Sequence, residues 1–177
     1  MASAHVAEPA RIAPFEDQHK DGLAVLVVDI QRGEFGLNAS AAGQPDLVDP
    51  AGFFRNAGGE IWVALKNGRA GEEVVGAVAI LDFGEGRAAL RKMFVRADLR
   101  GRPHRIAERL LEVLIAWARE RGFTEIYLDT LDAFAAARRF YARHGFEELT
   151  KADMPADFPA MNWNARFFRL ALSSVDT

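Results

Sequence analysis

Three segments, Glu60 to Lys66, Glu73 to Phe83 and Ala88 to Val95, are rich in apolar and β-branched residues, and only short Gly-containing turns separate them, at Asn67-Gly68 and Gly84-Glu85-Gly86. Connections this short join antiparallel neighbours, because a parallel crossover needs about a dozen residues or more. An antiparallel meander therefore lies at the centre of whatever this chain folds into. The clearest helix follows it, from about Pro103 to Arg121. Ile106, Leu110, Leu114, Trp117 and Ala118 recur there at helical spacing, opposite Glu108, Arg109, Glu112, Arg119 and Glu120, and Gly122 ends the run.

The flanking segments are shorter. Arg11-Ile12-Ala13-Pro14-Phe15 predicts a first strand closed by Pro14, and Asp17 to Gln31 a helix with Leu23, Leu26, Val27 and Ile30 on one face, ended by Gly33. Gly36 to Pro45 reads as a loop, with a short helix over about Asp46 to Asn56. Beyond Gly122, Glu125 to Leu128 reads as a buried strand. Asp132 to His144 reads as a helix carrying Phe134, Ala137 and Tyr141 on one stripe, with Gly145 as its C-cap. Stretches around Phe146 and from Phe167 to Leu172 supply the last two strands, joined by a loop containing Pro155 and Pro159. The sum is one α+β domain over residues 1–177 with a flexible tail at 1–9. Its sheet is mixed and mostly antiparallel, with about six to seven strands flanked by about four helices.

Composition narrows the function classes. Half of the 177 residues are apolar and 27% are charged, which excludes a wholly disordered chain. A net charge of -3 gives no global drive toward nucleic acid or anionic membrane, so any polyanion site must be local. With no cysteine, disulfide scaffolds, zinc thiolates and cysteine nucleophiles are excluded, and His5, His19, His104 and His144 show no metal-ligand spacing. Met1 to Ala10 do not read as a secretory signal, and the longest apolar run, Leu23 to Val28, is far short of a membrane span. A soluble, cytoplasmic protein without a metal is expected. Trp62, Trp117 and Trp163 read as core or rim packing.

Chemistry concentrates in Lys92-Met93-Phe94-Val95-Arg96-Ala97-Asp98-Leu99-Arg100-Gly101-Arg102-Pro103-His104-Arg105-Ile106-Ala107, a strand running through a basic loop into a helix. A helix N-terminus offers unpaired N–H groups and partial positive charge, so this geometry suits a phosphate or pyrophosphate, with Arg96, Arg100, Arg102 and Arg105 adding full charges. A solvated basic loop is the plain alternative. About 35 residues downstream stands Phe140-Tyr141-Ala142-Arg143-His144-Gly145-Phe146.

Together these pieces resemble the GNAT acetyltransferase family from Ala88 to about Glu148. The resemblance is carried by Arg100-Gly101, Ile106-Ala107-x-x-Leu110-Leu111, the strand Ile126-Tyr127-Leu128 and Phe140-Tyr141-x-x-x-Gly145-Phe146. Looser similarity to a bacterial GNAT subgroup of undefined substrate extends through Glu34-Phe35, Gln44-Pro45-Asp46-Leu47 and Met154-Pro155-x-x-Phe158-Pro159-x-Met161. The resemblance implies a GNAT-like fold and transfer of an acetyl group from acetyl-CoA to an amine. Pantetheine would pair with the backbone of Met93, Phe94 and Val95. The pyrophosphate would lie on the loop Arg100, Gly101, Arg102, Pro103, His104, Arg105, Ile106 and Ala107.

The chain departs from the family pattern in places. The loop is about two residues longer than usual, Arg105 stands at the usual Gly position, Phe134 at a position often held by Asn, and Arg91 where an acidic residue is common. Phe134 and Tyr141 complete the implied cofactor set, and Tyr141 matches the position whose hydroxyl donates to the CoA sulfur. Glu34 is the leading candidate for a base acting through water, and Glu34, Phe35 and Arg91 are the candidate acceptor residues. Alternation on the strand puts Arg91, Met93 and Val95 on one face, opposite Lys92 and Phe94, so Arg91 is a candidate for an acceptor carboxylate. For each there is a plain alternative: packing for Tyr141, an exposed loop glutamate for Glu34, a salt-bridged arginine for Arg91. The expected partner is a primary amine on a small molecule or peptide, with no nucleic acid or membrane, and a homodimer is left open. The rival function is a non-catalytic acyl-CoA-binding or regulatory protein on the same scaffold.

Overall fold

The computed structural model describes residues 9–131 and 135–173. Of the expected tail at 1–9, only Pro9 falls within them, and Phe134 falls outside. The elements run β1 (Arg11–Pro14), α1 (Lys20–Gly33), α2 (Pro45–Val48), α3 (Pro50–Asn56), β2 (Glu60–Gly68), β3 (Gly71–Gly84), β4 (Arg87–Val95), α4 (Ile106–Glu120), β5 (Glu125–Thr130), α5 (Ala135–Arg143), β6 (Glu147–Leu149) and β7 (Arg166–Ala171). The seven strands form one sheet in the order β1-β2-β3-β4-β5-β7-β6. Every neighbouring pair is antiparallel except β4 and β5.

Local chemistry explains where the elements start and stop. The single helix expected over Asp46 to Asn56 is two, because Pro50 cannot donate its backbone N–H and Asp49 instead caps α3, accepting from the Gly52 N–H at 3.1 Å. The first hairpin pairs through Gly68 and Gly71, so Arg69-Ala70 makes the turn and the expected turn residues Asn67-Gly68 lie in the strand. Glu85 and Gly86, both at positive φ (58° and 74°), form the second turn, the twist that a tight hairpin requires. Helix α4 begins at Ile106 rather than Pro103, since Arg105 adopts a left-handed conformation (φ 51°, ψ 36°) that no helix can pass through.

The sheet separates two cores. On one face α4 and α5 bury Leu110, Leu114, Ile126, Leu128, Tyr141 and Phe168 against the strands. On the other, α1 to α3 and the loop before β7 bury Leu23, Val27, Leu47, Phe54, Phe158 and Phe167. Leu23, Leu26, Val27 and Ile30 of α1 are all buried, as their spacing predicts.

Candidate active site

The site begins as a break in the sheet. Strands β4 and β5 pair only at Arg87↔Glu125, Ala88↔Ile126 and Ala89↔Tyr127, although β4 continues to Val95 and β5 to Thr130. The cause lies in β4. Its ladder with β3 passes from Ala79↔Arg91 to Ala77↔Phe94, so Lys92 and Met93 stand opposite the one residue Val78, and Lys92 takes φ 50°. Two residues against one make a β-bulge, which bends the strand and strengthens its twist. Beyond Ala89 the two strands diverge, and the side of β4 that faces β5 has no strand partner.

The bulge also overturns the expected alternation. Met93 and Val95 pack with Leu90 toward α4, whereas Phe94 packs with Ala89 toward α1. Arg91 donates to the Pro159 carbonyl, and Lys92 donates to Gln44 Oε1 at 2.6 Å and pairs with Asp46 at 3.2 Å, so both point to the α1 face. One extra residue is enough to shift every later side chain, because strand periodicity is two. Burial lowers the pKa of Lys92 and of Arg91, and nearby carboxylates oppose the shift, Asp46 for Lys92 and Asp129 foremost for Arg91.

The divergence opens a cavity of about 1270 Å³. Met93, Phe94 and Val95 line it along β4. Arg100, Gly101, Arg102, Arg105, Ile106 and Ala107 line its basic end, while Pro103, His104 and Arg96 lie outside its lining. Arg96 is instead held by Asp98 at 2.7 Å and Glu73 at 3.0 Å. Arg105 has no side-chain cap to offer the first turn of α4, and its guanidinium pairs with Glu108. Its left-handed backbone accounts for the glycine usual at that position.

Glu34, Phe35 and Arg91 also line the cavity. Glu34 is not free there, because Arg100 grips its carboxylate through both terminal nitrogens, Nη2 to Oε2 at 2.7 Å, while Arg100 Nε donates to the Val95 carbonyl at 2.8 Å. Tyr141 also lines the cavity, and its ring sits among Phe140, Phe146 and Phe168, with centroids 5.4, 5.4 and 5.9 Å away. Burial, with the charge of Asp129 adding, raises its pKa well above that of an ordinary phenol.

Sequence reading missed Asp129 and the Gln31, Gln44, Asp46 and Lys92 network. Asp129 lies where β5 has parted from β4 but still pairs with β7 opposite Phe167, and its Oδ2 accepts from the Met161 and Asn162 N–H groups at 2.9 and 3.1 Å. Its position just past an apolar strand, Ile126-Tyr127-Leu128, was the available signal, since α/β sheets bind ligands at the carboxyl ends of strands. Among the described residues, no group of three or more His, Asp or Glu side chains gathers as a metal site. No described helix is long and apolar enough to cross a membrane.

Sequence comparison adds an independent observation to the two splayed strands, the bulge and the uncapped helix N-terminus at one end of the opening. The profile of the Acetyltransferase (GNAT) family aligns with residues 26–146. The chain belongs to the GNAT family. A solved GNAT-family acetyltransferase from Staphylococcus aureus Mu50 is 30% identical and superposes with a TM-score of 0.83 over 93% of this chain and 99% of that one. An acetyltransferase from Streptococcus agalactiae 2603 is 29% identical, with a TM-score of 0.85 over 93% and 99%. N-acetyltransferase family 8 member 2 of Rattus norvegicus is 32% identical over 108 residues, 59% of this GNAT chain and 46% of the rat protein. This chain thus spans about half the length of the curated relatives it matches.

Proposed function

We propose that this GNAT protein transfers an acetyl group from acetyl-CoA to the primary amine of a small molecule or peptide, by direct attack in a ternary complex. The observation that carries the reading is the β4–β5 opening, with Tyr141 in its wall and the uncapped N-terminus of α4 at its end. The residues present suit the cofactor. The unpaired side of β4 at Met93, Phe94 and Val95 offers backbone partners for an extended amide-bearing arm, and the first-turn N–H groups of α4, with Arg100, Arg102 and Arg105, suit a pyrophosphate. Acetyl-CoA supplies an activated acetyl thioester.

The chain's own groups manage the protons. The acceptor ammonium first loses one proton, which leaves for solvent, to give the neutral amine; as the C–N bond then forms and the C–S bond breaks, the nitrogen gives up a second, matching the proton the thiolate takes up. Tyr141 holds a proton on its buried hydroxyl for that thiolate, and its raised pKa keeps the proton there at neutral pH. Glu34 accepts a proton through water once Arg100 turns from it toward phosphate, so the Glu34–Arg100 pair couples cofactor binding to release of the base. Phe35 lines the acceptor side.

Calorimetric titration with acetyl-CoA, followed by a primary-amine screen, tests the reading. Saturable binding and turnover support it. Binding with no turnover across the screen turns the assignment to a non-catalytic acyl-CoA-binding protein.

A further inference from the structure

The last pair of the β4–β5 ladder is Ala89↔Tyr127, and two residues further along each strand stand Arg91 and Asp129. Period-two alternation puts both on the face of Ala89 and Tyr127, the α1 side, at one level across the opening. Both line the cavity, and so does Tyr141. Arg91 is only 9% exposed. One of its nitrogens, Nη2, donates to the Pro159 carbonyl, but Nε and Nη1 are buried without a hydrogen-bond partner among the described residues. A buried guanidinium left with unsatisfied donors is costly, and a fold that keeps one beside a cavity leaves it for an anion from outside. The neighbouring cation is already used, since Lys92 is bound by Asp46 and Gln44.

Asp129 has complementary character. Two loop N–H groups hold Oδ2, and no hydrogen bond to Oδ1 is present among the described residues. Its charge acts on both Arg91 and Tyr141, and all three side chains line the same cavity.

We propose that the acceptor is an amino-acid-like zwitterion, its carboxylate bound by Arg91 and its amine held by Asp129 on the side of Tyr141. This rests on the acetyl-transfer reading for the fate of the amine, but the binding subsite stands on its own geometry. A charge-assisted pair at Arg91 is worth a preference of roughly tenfold or more for an acid over its uncharged amide.

The test sets the twenty amino acids beside their carboxamides, with the full chain and saturating acetyl-CoA, measuring kcat/KM. In parallel, calorimetry measures binding of the same compounds to the CoA-loaded protein. At least one acid should exceed its amide by tenfold in both measurements, and Arg91→Ala should bring that ratio to within about twofold. If Arg91→Ala does not fold, Asp129→Asn serves, weakening the preferred acid at least tenfold while leaving acetyl-CoA affinity unchanged. Were Arg91 only a clamp on the Pro159 loop, its loss would lower stability and leave the acid-to-amide ratio alone. Amides used or bound as well as acids, a ratio unchanged in Arg91→Ala, or no acid bound at all would overturn the proposal. Preferential acid binding with no acetyl transfer would keep the subsite and remove the acetyl-transfer reading.

Discussion

At the scale of single residues, the decisive quantity is the environment of one hydroxyl. Tyr141 is 5% exposed and packed among three phenylalanines, so ionising it would strand a charge away from water. Its proton therefore stays bound through pH 7 to about 10. Two outcomes follow. Tyr141→Phe should lower kcat by about 100-fold or more and change the acetyl-CoA Kd less than about twofold, read by steady-state kinetics and calorimetry. The wild-type kcat profile should show no alkaline loss from this residue below about pH 10; a limb near pH 8 that vanishes in Tyr141→Phe would contradict the assignment. Arg105 is the residue whose identity and backbone disagree, holding φ 51° without being glycine. Arg105→Gly should raise stability by about 0.5 to 1 kcal/mol in urea denaturation, since glycine takes that conformation without steric cost and the surface pair with Glu108 is worth little. The motif made this position visible before the fold was known. The grip of Arg100 on Glu34 was not, because it joins side chains 66 positions apart.

At the scale of elements, β4 carries the site through its bulge. Lys92 and Asp46 are buried to within a few percent of completely, at 6% and 8% side-chain exposure, and they tie the bulge to α2. Lys92→Met should cost about 3 kcal/mol by leaving the carboxylate buried and unpaired, and adding Asp46→Leu should recover most of the loss, as measured by urea denaturation. A second element contact fixes where α4 begins. A Cβ on Gly76 of β3 would stand 3.0 Å from Ile106 Cγ2 and 3.2 Å from Leu110 Cδ1, so any side chain there crowds the start of the helix against the sheet. Gly76→Val should destabilise the fold by about 2 kcal/mol and, by displacing the N-terminal turn of α4, weaken acetyl-CoA binding as well. Unchanged affinity in a folded Gly76→Val protein would separate α4 placement from the cofactor site. Strands and helices themselves were legible, because apolar spacing distinguishes a period of 2 from one of 3.6. The bulge was not, since nothing in Arg91-Lys92-Met93-Phe94 interrupts the strand pattern.

For the whole molecule, the sheet holds a separate core on each face, and the cavity lies where the sheet divides. A ligand filling that opening bridges β4, α4, α5 and the loop before β7, and binds the native state alone. At 100 times its Kd, acetyl-CoA should add about 2.7 kcal/mol of stability and raise Tm by roughly 5 to 10 °C, seen by thermal unfolding at increasing ligand concentration. An unchanged Tm at saturating acetyl-CoA would show that the opening does not take it.

Sequence alone determined the order of the strands, the faces that Leu23, Val27, Leu110 and Leu114 bury, and the stretch from Lys92 to Ala107, much of which lines the cavity. Each of these follows from local periodicity, turn chemistry or a motif of contiguous residues. Tertiary structure decided which way Arg91 and Lys92 point, that Glu34 is held by Arg100, and that Asp129 stands across from Arg91. The physical reason is that a bulge and a strand register are set by pairing between distant segments, and the charges they bring together carry no mark in the sequence of belonging to one another.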